Sequence, residues 1–458
     1  MNVMLIPMGS AGDVYPLVGL GVSLRSRGHR VEVIANSYYQ SVIERAGLLF
    51  VELGTYEDLR PGMENPDLWH RQKGFLVLAR SILPLIRPLY EIIARHYVPG
   101  ETIVVASSLA LAARVAQEQL GLPLVTAHLQ PTVFRSAYEA SELLPWLFSH
   151  CWLRVPGKRL LDWLLDVLLL DPLMGREINA LRASLGMPCI RRPLYRWLHS
   201  PELVLGLFPE WFASPQPDWP PQTRLTGFPL YDDPSGQEIP KEIETFFAAG
   251  TPPIVFTPGS AMKHGQQFFA ESVTACRLLG RRGLLLTRFP EQVPDNLPEG
   301  ICHFDYLPLS KLLPHAAALV SHGGIGTISQ ALAAAIPQLV MPMAFDHFPN
   351  AARLVRLGVA RSLPAKAYRG PAVAETLNDL LKSGEIQNQC QAIAKRFHPG
   401  DSLEKACLAI EEFAEQRTQP IHCLNLSGYG EGRGVASTVN GSSTDSRAGR
   451  GVPGRSEG

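Results

Sequence analysis

The sequence contains no Asp-x-Asp motif, no Cys-x-x-Cys pair and no Gly-x-Ser-x-Gly elbow at a strand-to-helix turn. The first absence argues against a metal held by paired carboxylates, the second against a zinc site, and the third against an acyl hydrolase. Seven cysteines, all widely separated, point to reduced thiols in a cytosolic protein rather than a disulfide frame. Net charge is also missing: 42 Lys and Arg balance 42 Asp and Glu, so no global field selects nucleic acid. Long apolar runs are absent too. The most apolar stretch, Leu160 to Met174, is interrupted by Asp162, Asp166 and Asp171, and Phe75 to Ile93 carries Arg80 and Arg87, so no spanning helix is expected. No basic leader precedes the first strand, and a signal peptide is not expected either.

What is present is organised around Leu319 to Asn350, LVSHGGIGTISQALAAAIPQLVMPMAFDHFPN. It reads as a short buried strand, a glycine-rich turn, a helix from about Thr327 to Ala335, a strand over Gln338 to Met341, and a polar loop. His322, Gly323, Gly324 and Gly326 let backbone approach a ligand closely. The helix that follows aims unpaired N–H groups and its positive dipole end at that turn. Such a turn is an anion site, suited to a phosphate or diphosphate, although tight packing alone also accounts for the glycines. It is not a Walker loop, because no Lys follows the glycines, and GGIG is not a dinucleotide fingerprint. Asp346 and Asn350 lie one strand further on, at the carboxyl end, where open parallel sheets bind ligands.

A chain of 458 residues exceeds one ordinary core. MLIPMGSAGDVYPLVGLGVSLRSRGHRVEVIAN opens it as a βαβ unit: strand Val3 to Pro7, turn Gly9 to Gly12, helix from about Pro16 to Arg27, strand Arg30 to Ala35. Further alternation to about residue 127, including one helix over Phe75 to His96, predicts a parallel sheet with helices on both faces. Pro131 to about Leu198 is helical, apolar and Trp- and Leu-rich, with Trp146, Trp152, Trp163 and Trp197. These residues fit either core helices or the lining of an apolar acceptor site. The expected organisation is an N-terminal acceptor-binding domain over 1–214, a Pro-rich linker over 215–240, a second alternating domain over 241–418, and a disordered Gly-, Ser- and Arg-rich tail over 419–458.

The motifs GSAGDVYP, TPGSA, DYLP, HGGIGT and FDHFPNA, in that order, resemble those of the nucleotide-sugar-dependent glycosyltransferases with two Rossmann-like domains facing across a cleft, the GT-B group that includes sterol, macrolide and glycopeptide transferases. Within that group GSAGDVYP, HSPELVLGLFPEWFASPQPDWP, LTGFPL, VFTPGSA and NAARLVRLG are most similar to the rhamnosyltransferase family of rhamnolipid synthesis. The resemblance covers residues 1 to about 415. It implies an α/β GT-B fold and an inverting, metal-independent hexosyltransferase. The donor would be a nucleotide sugar, here dTDP-rhamnose, and the acceptor a hydroxylated lipid. A UDP-sugar with a sterol, polyketide or other small hydrophobic acceptor is the alternative, ahead of a nucleotide-sugar epimerase or a non-catalytic binding subunit. No cofactor beyond the nucleotide-sugar co-substrate is implied, and the location would be cytoplasmic with peripheral contact to the inner membrane.

Residue by residue, the resemblance implies that Asp13 is the catalytic base. An N-cap role for Asp13, on a helix beginning near Pro16, stands beside that reading. His322, Gly323, Gly324, Gly326 and Thr327 would cradle the diphosphate with Ser260 as a second contact. Tyr306 would stack on the nucleotide base, with Leu307 hydrogen-bonding it, and Asp346, His347 and Asn350 would hold the sugar. His347 stands where Gln is usual in the family, so the family's sugar identity is not carried over from that pair. His29, His128 and His199 lack metal spacing and are read as structural.

Overall fold

In the computed structural model the described residues are 1–139, 155–232 and 240–418. Trp146, Trp152, residues 233–239 of the expected linker and the tail lie outside them. Two parallel sheets carry the fold. The first runs β3-β2-β1-β4-β5-β6-β7, with β1 at Asn2–Ile6, β2 at Arg30–Ala35, β3 at Leu49–Glu52, β4 at Thr102–Ser107, β5 at Leu124–His128, β6 at Leu203–Gly206 and β7 at Thr223–Leu225. The second runs β10-β9-β8-β11-β12-β13, with β8 at Ile254–Thr257, β9 at Gly283–Leu286, β10 at Ile301–Phe304, β11 at Ala318–Ser321, β12 at Gln338–Val340 and β13 at Ala360–Ser362. Every pairing is parallel, as expected for strands that are buried on both faces.

Each sheet reverses its order beside its first strand, β1 and β8 respectively. That reversal opens a crevice at the carboxyl ends, where the first turn of the helix carrying Asp13 and the turn carrying His322 emerge. Val3, Leu5, Val33 and Val105 fill one face of the first sheet, and Met4, Ile6, Val104 and Leu124 the other.

Several boundaries differ from those expected. The first helix is Ala11–Ser26, so Pro16 sits inside it rather than in its first turn. The reason lies in Ser10 and Asp13, three apart: the Asp13 carboxylate accepts the Ser10 backbone N–H at 2.8 Å and starts the helix early. The helix expected over Phe75 to His96 is broken into Gly74–Ile82 and Ile86–His96 by a tight turn at Leu83–Leu85, where Pro84 cannot donate a helical hydrogen bond. The 215–240 stretch is not linker throughout, because β7 within it pairs with β6 and extends the first sheet. The last helix, Asp401–Thr418, returns to the N-terminal half. There Glu411 accepts from Arg27 at 2.9 and 2.7 Å and meets His29 at 2.7 Å. His29 is thereby a structural residue of the contact between the halves.

Candidate active site

The two glycine turns meet. A Cβ placed on Gly326 would come within 3.6 Å of the Gly12 Cα, so the start of helix Ile325–Ala333 abuts the start of helix Ala11–Ser26. Asp13 and the His322 turn therefore border one crevice. Asp13 is half-buried. Its Oδ2 accepts from the Ser10 N–H at 2.8 Å and the Ser10 hydroxyl at 3.1 Å, and its Oδ1 accepts from Gln130 Nε2 at 3.1 Å. Burial raises its pKa above the usual carboxylate value, and the donors from Ser10 and Gln130 act in the opposite direction. Gly9, at φ +134°, leaves the room: a Cβ there would lie 2.3 Å from Asp13 Oδ2. Asp13 is therefore not the N-cap expected from the sequence: Ser10 caps the helix, and Asp13, three residues on, completes the capping box with Oδ2 while Oδ1 faces Gln130.

His322 follows β11 directly. Its ring packs so closely under the turn that Cβ atoms on Gly259 and Gly324 would fall 2.9 and 2.5 Å from Nε2. Burial pushes its pKa down to about 4, so the imidazole is neutral at pH 7 and carries one N–H. The helix begins at Ile325 with Gly324 as its cap, two residues earlier than expected. The Thr327 N–H is used internally, donating to the Gly324 carbonyl at 3.0 Å, so its hydroxyl is the group left for a ligand. Gly323 has φ +95°, its N–H donates to Ser321 Oγ at 3.3 Å, and a side chain there would strike Val340. Ser260 is exposed in the turn after β8.

Asp346 opens helix His347–Arg356. Asn350 Nδ2 donates to Asp346 Oδ2 at 2.7 Å and to the Gly323 carbonyl at 3.0 Å, tying the sugar-side acid to the glycine turn. Burial, then the nearby Asp13, pushes the Asp346 pKa up to about 7. His347 is buried, and burial holds its pKa well below the ordinary value. The Ala344 N–H donates to its Nδ1 at 3.3 Å, which leaves the ring hydrogen on Nε2. Tyr306 follows β10 and Leu307 is buried beside it. The Arg288 guanidinium lies over the Tyr306 ring, 5.1 Å from its centroid.

Three groups not singled out in the sequence complete the site. Gln130 reaches Asp13 from beyond β5. Arg288, beyond β9, donates to Tyr38 Oη at 3.1 Å and Tyr15 Oη at 3.4 Å, crossing from the C-terminal half to the N-terminal half. Trp69 of the N-terminal half stacks on His347 with centroids 5.8 Å apart. No sequence-local signal pairs residues so distant in the chain. His128 and His199, by contrast, are a buried pair at 2.9 Å, and Ser108 bonds His128 at 2.8 Å.

Comparison with known proteins follows the same division. Residues 3–139 match the glycosyltransferase family 28 N-terminal domain, and residues 287–398 match the erythromycin biosynthesis protein CIII-like C-terminal domain. O-mycaminosyltylonolide 6-deoxyallosyltransferase of Streptomyces fradiae is 30% identical over 448 residues, 91% of this chain and 99% of the relative. The chain belongs to this family of GT-B glycosyltransferases. It is a nucleotide-sugar transferase. Sterol 3-beta-glucosyltransferase UGT80A2 of Arabidopsis thaliana is 24% identical over 92% of this chain and 67% of its own length. Among solved structures, the glycotransferase of kitacinnamycin matches with TM-score 0.66 at 20% identity over 90% of this chain and 99% of its own. Spinosyn rhamnosyltransferase SpnG complexed with thymidine diphosphate matches at 0.63 and 19%, over 90% and 100%. These structures establish the GT-B fold with its two Rossmann-like sheets. Among the described residues no helix is long and apolar enough to cross a membrane.

Proposed function

We propose that this glycosyltransferase is inverting and metal-independent, moving a hexose from a dTDP- or UDP-sugar onto a hydroxyl of a small hydrophobic acceptor. The observation that carries this reading is the meeting of the Asp13 turn with the N-terminus of helix Ile325–Ala333, which sets a carboxylate base and an anion cradle on one crevice. Asp13 takes the acceptor proton as the hydroxyl oxygen attacks the anomeric carbon, and the bond from that carbon to the diphosphate oxygen breaks. The helix N-terminus and the His322 N–H receive the charge of the leaving diphosphate. One displacement inverts the anomeric carbon. A raised pKa suits Asp13 to this duty better than an ordinary carboxylate. Asp346, His347 and Asn350 hold the sugar, and Tyr306 with Leu307 the base.

The relatives' names support a polyketide-like or sterol-like acceptor: one acts on O-mycaminosyltylonolide, another on a sterol. A second reading, a hydroxylated fatty-acyl lipid with rhamnose as the sugar, rests on the motif likeness and on one structural observation. Leu160, Trp163, Leu168 and Leu169 are 59%, 45%, 72% and 55% exposed, beside Lys158 and Arg159. An apolar face with basic neighbours suits contact with an anionic membrane surface holding such an acceptor. Measuring nucleotide diphosphate release from a panel of dTDP- and UDP-sugars, with and without a hydroxylated acceptor, tests the proposal. Acceptor-dependent release is expected, and release that ignores every acceptor overturns it.

A further inference from the structure

The 3₁₀ turn Pro66–Trp69 of the N-terminal half inserts an indole among the aromatic groups of the donor side. Trp69 stacks on His347 at 5.8 Å and 19°, and meets His322 edge-on at 6.4 Å and Phe345 edge-on at 6.2 Å. His322 and His347 are themselves 4.5 Å apart at 90°. Phe345 is held at φ +52°, a conformation that costs a bulky residue energy and that the surrounding packing must enforce. Two ring nitrogens of this one cluster, Trp69 Nε1 and His322 Nδ1, are buried without a hydrogen-bond partner. A sealed indole N–H with nothing to donate to is costly, and at a ligand site the ligand is the natural acceptor.

The geometry points to Trp69 as a donor-sugar positioning residue contributed by the N-terminal half: its N–H binds a sugar oxygen, and its ring holds His347 so that Nε2–H faces the same sugar. This rests on the donor sitting at the His322 turn, as proposed above. The sugar is favoured over the diphosphate as the partner because Trp69 is stacked on His347, the neighbour of Asp346, whereas the turn glycines serve the diphosphate. The crevice would then recognise the sugar only when both halves are in contact, since His347 and Trp69 come from opposite halves.

The test compares binding of dTDP alone with binding and turnover of dTDP-rhamnose and UDP-glucose by the full chain. Trp69→Phe keeps a stacking ring and deletes the N–H. It should bind dTDP within twofold of wild type, raise KM for the preferred nucleotide sugar about tenfold, and change kcat less. Trp69→Leu, which also removes the stack on His347, should lose a further severalfold in KM. A Trp69→Phe enzyme with unchanged constants, or one weakened equally for dTDP and nucleotide sugar, overturns the assignment. If wild type itself binds and turns over no nucleotide sugar, the proposed function fails first and this assignment with it.

Discussion

Asp13 and Asp346, more than three hundred residues apart, interact electrostatically across the crevice between the two halves, and the Asp13 charge adds to burial in pushing the Asp346 pKa up to about 7. Burial also raises the Asp13 pKa, and because two carboxylates repel each other mutually, a charge on either one helps to hold the proton on the other. With its pKa pushed up to about 7, Asp346 can donate to a sugar hydroxyl in its protonated form and accept from one in its ionised form.

Asp13→Asn should abolish turnover while leaving donor binding within about twofold. The carboxamide oxygen can still accept from Ser10, so the helix start survives, but the site has no base. Steady-state kcat together with dTDP-sugar titration checks this, with a kcat loss of at least a hundredfold expected. A fall of less than tenfold assigns Asp13 to helix capping alone.

Stability against pH should carry the mark of Asp346. Its folded pKa is raised, so between about 4 and 7 the unfolded chain releases a proton that the folded chain retains. Stability contributed by this group is therefore greatest at low pH and falls as pH rises through that window, by up to roughly 4 kcal/mol. Asp346→Asn should be more stable than wild type at pH 8 and equal to it near pH 4, while losing sugar binding. In Asp13→Asn the Asp346 titration should move below its wild-type position. Thermal unfolding of the three proteins across that range decides it.

Much of the fold is legible in the chain, because buried parallel strands read as short apolar runs and glycine turns mark where they end. Asp13 and the His322 turn stand out for that reason. The start of the first helix is easily misplaced because Pro16 looks like a first-turn residue, although the Ser10 to Asp13 spacing is the stronger local signal. β7 is hidden because three residues among prolines cannot display an alternating pattern. Trp69, Gln130 and Arg288 escape a reading of the sequence for a different reason. Their roles depend on partners 117 or more residues away, such as Asp13 for Gln130 and Tyr15, 273 residues away, for Arg288.

Gly9→Ala should damage catalysis more than folding. The added methyl would need φ +134° and would overlap Asp13 Oδ2 at 2.3 Å, so the carboxylate must move. A loss of a hundredfold or more in kcat with donor Kd nearly unchanged is expected. Equal losses in kcat and donor affinity would mean that the turn, and not the base, had been displaced.

Chelators should not inhibit. Among the described residues no group of three or more His, Cys, Asp or Glu side chains converges on a possible metal position, and in the proposed mechanism the helix N-terminus and the neutral His322 N–H take up the charge of the leaving group instead. Activity in EDTA should match that in added Mg²⁺ or Mn²⁺. Strong inhibition by EDTA, reversed by either ion, would contradict the role given to the helix.

The acceptor is tested by chain length. Each methylene buried from water is worth about 0.8 kcal/mol, so an acceptor site built for alkyl chains should reward every added carbon until it is full. The helical stretch from Val155 to Gly175 offers the apolar surface for this, with Leu160, Leu168 and Leu169 outward and Asp166 buried in ion pairs to Arg135 and Arg192 that fix the stretch in place. With a series of 3-(3-hydroxyalkanoyloxy)alkanoates, the second, lipid reading requires kcat/KM to climb severalfold per added pair of methylenes, and requires replacement of Leu168 and Leu169 by Ser to flatten the climb and reduce co-sedimentation with anionic vesicles. Partial burial of each methylene scales the slope down without changing its sign. A flat dependence from short to long chains, alongside turnover of a macrolide or sterol, rules out the lipid acceptor and leaves the small polycyclic or polyketide acceptor as the substrate.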